Sequence, residues 1–153
     1  MKSILKFSVA AGIALALSAS AGFAADGHAT KDEAVAMAKK AVALVKAEGA
    51  AKAYEEFNKG ATFHDRDLYV IVYDSTGTCL AHGSTPKKIG KNLVDDQDAD
   101  GVFYIKKRVD LMKTNATFWQ DYKFTDPVTK KIAPKSTYCE KLNDTAVCVG
   151  VYK

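Results

Sequence analysis

The sequence is short of most features that announce a specialised chemistry. It has three cysteines, three prolines and one tryptophan among 153 residues, with no internal repeat, no low-complexity tract and no linker-like stretch. No Cys-x-x-Cys-His motif is present, which excludes covalent haem attachment. Asp96, Asp98, Asp100 and Gly101 imitate the start of a calcium loop, but the twelfth position is Lys107, where a bidentate glutamate is needed. These acids read instead as a turn with helix-capping side chains. Cys79 and His82 lie three apart near a strand end, a spacing that turns a nucleophile and its base to opposite faces. The chain is therefore not expected to be an enzyme, and neither a metal nor a cofactor is expected.

Long apolar runs are also missing. The one at residues 9–17 is far shorter than a bilayer span, follows Lys2 and Lys6, and leads into small residues at Ala19, Ala21, Gly22 and Ala24. That pattern is a secretory signal peptide rather than a transmembrane helix. Cleavage after Ala24 is preferred and cleavage after Ala21 is the alternative. No cysteine near either site can accept a lipid. The expectation is a leader over 1–24 and one domain over 25–153, exported to the periplasm or secreted, with no direct membrane anchor.

Strong charge of one sign is absent as well. Of 22 Lys and Arg residues, Lys2 and Lys6 belong to the leader, which leaves 20 against 18 acids. So weak a balance argues against nucleic acid or anionic lipid as partners. The clusters Lys87-Lys88, Lys106-Lys107-Arg108 and Lys130-Lys131 read as solvated faces.

What remains is patterned. Thr30 and Glu33 form a capping box, and apolar residues at helical spacing follow it: Val35, Ala38, Val42 and Val45, with Ala34, Met37, Ala41 and Leu44 beside them. Gly49 ends this long helix, and residues 50–58 continue as a shorter one that Gly60 stops. From Leu68 the pattern becomes strand alternation, with Leu68, Val70 and Val72 facing one way and Tyr69, Ile71 and Tyr73 the other. After a turn at 74–77, residues 78–82 pair back, and a long connection over 83–101 leads to a helix over 102–113. Strands over 118–124, 134–142 and 147–152 close the chain. This order predicts an α+β domain around one central antiparallel five-stranded sheet.

A two-residue turn at Asn143-Asp144 pairs positions whose numbers sum to a constant, and Cys139 with Cys148 satisfies it. They fall on a non-hydrogen-bonded pair, where Cα atoms approach to about 4.5 Å, within disulfide range. In an oxidising compartment they are expected to be bonded, leaving Cys79 free.

A series of short segments in order then resembles the second type of single Cache domain, an extracytoplasmic relative of the PAS fold. They are Asp67-Leu68-Tyr69-Val70 with Tyr73-Asp74, Gly77 with Leu80-Ala81-His82-Gly83, Pro86 with Gly90-Lys91-Asn92-Leu93, and Asp98-Ala99-Asp100-Gly101. Trp119 through Phe124 with Asp126-Pro127, Pro134-Lys135-Ser136-Thr137-Tyr138 and Gly150-Val151-Tyr152 complete the series. The resemblance implies the long N-terminal helix on one sheet face and a small-molecule pocket on the other, closed by the long connection. It also implies a sensory module for a small molecule, often a short organic acid.

Binding a small carboxylate out of water takes a cation, hydrogen-bond donors and apolar walls. On the resemblance, Lys135 is the cation, Tyr69, His82 and Tyr122 are polar aromatic positions, and Tyr73, Tyr104, Trp119 and Phe124 build walls, with Tyr138 at the end of the Pro-Lys-x-x-Tyr segment. Parity conflicts with this set, because Lys135 and Tyr138 point to opposite faces of a regular strand. Either a bulge intervenes or one of them lies outside the pocket. With no segment to carry a signal inward, the module is expected to act through a membrane receptor or kinase. The alternative is an accessory envelope protein without a ligand.

Overall fold

The computed structural model describes residues 27–153; the expected leader lies outside them. Helix α1 (Lys31–Glu48) starts at the capping box, where Glu33 N donates to Thr30 Oγ1 at 3.3 Å and Thr30 N to Glu33 Oε2 at 2.7 Å. Ala34, Ala38, Ala41 and Val42 form its buried stripe. Their small side chains bring the helix axis close to the sheet. Gly49, at φ 85°, ends α1 and opens α2 (Ala50–Lys59), which buries Ala53 and Phe57.

The strands are β1 (His64–Asp65), β2 (Leu68–Asp74), β3 (Cys79–His82), β4 (Thr117–Thr125), β5 (Ile132–Leu142) and β6 (Thr145–Tyr152), with α3 (Tyr104–Thr114) between β3 and β4. The expected five strands are all present and run β3-β2-β6-β5-β4, every pairing antiparallel. The two-residue β1 adds a sixth, sharing with β3 the edge of β2 that β6 leaves open. The third helix starts two residues later than expected because Asp98 Oδ1 accepts from Val102 N at 2.9 Å and holds it in the preceding turn. Among the described residues no helix is long and apolar enough to cross a membrane.

Alternation sorts the sheet into two cores. Leu68, Val70, Val72, Val147, Val149 and Val151 pack under α1 and α2, while Tyr69, Ile71, Tyr73, Cys148 and Tyr152 face α3 and the long connection. Asp67, fully buried, ties the layers together: Oδ1 accepts from Ala29 N at 2.6 Å and Oδ2 from Tyr152 N at 2.9 Å.

Asn143, at φ 55°, turns the last hairpin so that Leu142 meets Thr145 and Cys139 meets Cys148. These cysteines are bonded with Cα atoms 4.1 Å apart, and Cys79 is a free, buried thiol. The bridge closes a loop of sequence separation nine. Replacing both cysteines by alanine is expected to lower stability by about 2–3 kcal/mol. Urea denaturation of the two proteins checks this, and equal midpoints contradict it.

Candidate functional site

The face turned away from α1 carries the polar and aromatic side chains. Lys135, 1 % exposed, extends from β5 across β6 above Gly150, where a side chain would collide with its stem. Its Nζ donates to Tyr69 Oη at 2.7 Å. From there a chain of hydroxyls runs outward, with Tyr69 and Tyr152 hydroxyls 3.0 Å apart and Tyr152 Oη donating to the Thr125 carbonyl at 2.7 Å. The ammonium lies 4.0 Å from the Tyr69 ring centre and 4.8 Å from that of Tyr152, a cation held by π faces rather than by a carboxylate.

Helix α3 supplies a second buried cation. Tyr104 and Arg108 are one turn apart and both face inward. Gln120 positions them together, its Nε2 donating to the Tyr104 carbonyl at 2.6 Å and its Oε1 accepting from Arg108 Nε at 3.1 Å. Arg108 is 1 % exposed, with its guanidinium 5.2 Å from the Tyr73 ring and 5.3 Å from the Tyr122 ring. Its two terminal nitrogens have no partner at good hydrogen-bonding geometry, although the Tyr122 hydroxyl is near enough to interact with the guanidinium. An unmatched buried donor costs about 1–3 kcal/mol, more when charged, so such groups call for an explanation.

The surrounding groups register this positive charge. Burial would raise the Tyr122 phenol, but Lys135 and Arg108 outweigh it and hold the hydroxyl below its ordinary value. His82, stacked on Tyr69 at 5.4 Å, is pushed down to about 3 by burial first and then by Lys135, Lys88 and Arg108. Its Nδ1 accepts from Thr85 N at 3.0 Å, so the neutral ring carries its proton on Nε2.

The sign of the His82 shift fixes a pH effect. Between the ordinary value of 6.5 and about 3, the unfolded chain takes up a proton that the folded protein refuses. Stability therefore falls with pH across that window, by up to about 1.4 kcal/mol per unit. His82→Gln is expected to flatten this slope in denaturation measured from pH 6.5 to 4. An unchanged slope contradicts the neutral burial.

Tyr104 and Tyr122 stack at 4.9 Å and 10°, and Phe124 stands 6.3 Å from each. Lys88, on the 3-10 turn Pro86–Lys88, pairs with Asp96 at 3.0 Å and lies 5.6 Å from the Phe124 ring. Lys88 and Phe124 border two clefts, one of about 160 Å³ toward Asp98 and Tyr104 and one of about 420 Å³ toward Thr85 and Asp126. A larger cleft of about 880 Å³ between α1 and α2 is lined half by lysines and glutamates, including the surface pairs Lys52–Glu48 and Lys59–Glu55, and half by small or apolar residues such as Leu44 and Phe63. No polar side chain lining it is both buried and unpartnered, in contrast to Arg108 on the other face.

The structure brings together Tyr69, Tyr73, His82, Tyr104, Tyr122, Phe124 and Lys135. It separates Trp119 and Tyr138 from them. No bulge interrupts the pairing of β5 with β4 or β6, so parity sends Tyr138 to the α1 side, where its ring lies 5.3 Å from that of Trp119. Trp119 is 37 % exposed with Lys31 Nζ 4.8 Å from its ring. Arg108, Gln120, Lys88 and Tyr152 were not among the expected site residues. The reading of Lys106-Lys107-Arg108 as one solvated face is corrected: the two lysines are exposed and Arg108 is buried. Its helical spacing from Tyr104, together with Ile105, Val109 and Met112, is the signal that distinguishes it.

An antiparallel sheet in this order, with a helix pair on one face and a roofed cationic, aromatic centre on the other, defines a PAS-like fold. The Single Cache domain 2 family profile matches residues 11–152. The chain belongs to that family; Cache domains are extracytoplasmic sensor domains that bind small molecules.

Among solved structures, a methyl-accepting chemotaxis protein from Vibrio parahaemolyticus RIMD 2210633 is similar at 27 % identity and a TM-score of 0.71, over 80 % of this chain and 87 % of that one. A periplasmic sensor domain of a chemotaxis protein matches at 19 % identity and 0.64, over 79 % and 88 %. A Cache chemosensory domain solved for carboxylic acid recognition matches at 19 % and 0.63, over 79 % and 86 %. No curated protein matches the chain.

Proposed function

We propose that this chain is a periplasmic binding module for a small organic carboxylate, which presents its bound state to a membrane receptor or kinase. The observation that carries the reading is Arg108, a buried guanidinium whose two terminal nitrogens have no partner at good hydrogen-bonding geometry. A carboxylate meets both through paired charge-assisted hydrogen bonds, the geometry a guanidinium favours. Lys135 is a second cation on the same face, and the rings of Tyr104, Tyr122 and Phe124 give an apolar tail its walls. The similar Cache domain with a carboxylic acid ligand supports the choice of ligand class. His82, held neutral, serves as a donor through Nε2 rather than as a base.

A thermal-shift screen of the domain against short mono- and dicarboxylates, amino acids, amines and urea tests this. At a hundredfold over its dissociation constant a ligand stabilises the fold by about 2.7 kcal/mol. For a domain of this size that raises the melting temperature by roughly 10 °C. A flat response to every carboxylate rejects the reading.

A further inference from the structure

Resting on the carboxylate reading above, we propose that the ligand is a dicarboxylate, one acidic group held by Arg108 and the other by Lys135. The case begins with charge. Neither cation belongs to an ion pair among the described residues, although each is 1 % exposed. The buried carboxylates are occupied elsewhere. Asp67 accepts from the Ala29 and Tyr152 amides, and Asp126 from Val128 N and Thr129 Oγ1 with His28 beside it. One monoanion leaves one of the two buried positive charges uncompensated, and burying an unpaired charge is costly. A dianion matches both.

Geometry separates the two anchors. Arg108 is fixed by Gln120 and Lys135 by Tyr69, and they share no hydrogen-bond partner. Tyr122 relates to both, its ring 5.3 Å from the guanidinium and its backbone the register partner of Lys135 across the β4–β5 ladder. Two cations with separate holders suit two acidic groups joined by a short carbon chain, not the single centre of a phosphate or sulfate. The Tyr122 hydroxyl, lowered against its burial by Lys135 and Arg108, registers the positive charge on this face, and His82, neutral first through burial, is disfavoured as a cation further by the same groups.

Calorimetric titration at one ionic strength tests this with malonate and propionate, succinate and butyrate, and inorganic phosphate and sulfate. Each diacid is expected to bind at least tenfold tighter than the monoacid of equal length, and Lys135→Met to erase that advantage. Monoacids that bind as tightly as their diacids overturn the dicarboxylate while leaving the carboxylate reading intact. Phosphate or sulfate binding tighter than either diacid overturns the separation into two groups. No binding by any of the six overturns both readings. Should Lys135→Met fail to fold, the ranking on the unaltered protein decides.

Discussion

Replacing Arg108 with glutamine is expected to weaken carboxylate binding by about a hundredfold while leaving the unliganded protein as stable as before, or more so. The two effects have one cause. Loss of a buried, hydrogen-bonded charge partner costs a complex about 2–5 kcal/mol, or roughly 30-fold to several thousandfold in affinity. Without ligand, the same guanidinium is desolvated with one nitrogen bonded to Gln120 and two that reach no acceptor at good hydrogen-bonding geometry, the Tyr122 hydroxyl being their polar neighbour. The faces of Tyr73 and Tyr122 return part of that loss, about 1–2 kcal/mol each at best. A neutral amide removes the remainder. An arginine that merely supported the fold would behave oppositely, lowering the melting temperature and sparing affinity. Measuring both on one preparation separates the cases, and an affinity within threefold of the unaltered protein overturns the assignment.

Gly150→Ala is expected to act on the other cation. A Cβ at this position collides with Lys135 Cε and Thr137 Oγ1 and comes within 3.2 Å of the Ser136 carbonyl oxygen. The lysine stem is the softest of the three, so it leaves its seat and Nζ loses Tyr69. Overpacking of this kind costs about 1–3 kcal/mol. Affinity is expected to fall as far as in a variant lacking the lysine. The Lys135→Ala variant removes one of the two collisions and leaves that with Thr137 Oγ1, so the double substitution is expected to recover part of the stability lost by Gly150→Ala alone. Positive coupling in that cycle, read by chemical denaturation, is the expected result. Additive losses, or a Gly150→Ala protein with full affinity, contradict the seat.

Strand alternation carried much of what the sequence disclosed. The faces of β2 and the Cys139–Cys148 pairing follow from a period of two and a turn of two residues, rules that tertiary context seldom breaks. The same parity separates Tyr138 from Lys135 and Trp119 from Tyr122, and it prevailed over the family pattern that grouped them. The two-residue β1 is too short to leave a periodic trace. Arg108 was hidden by its neighbours, since a basic triplet reads as solvent-facing unless each residue is placed on the helix separately. The partners that hold it, Gln120 and the rings of Tyr73 and Tyr122, come from distant parts of the chain and carry no local mark.

The grip of Asp67 on the Ala29 and Tyr152 amides has a mechanical meaning. Tyr152 also contributes its ring and hydroxyl to the Lys135 cluster, and Ala29 immediately precedes the capping box of α1. A ligand that shifts Tyr152 therefore pulls, through one carboxylate, on the entry to the long helix. The segment that enters α1 and the end of β6 are thus fastened at a single knot beside the proposed site.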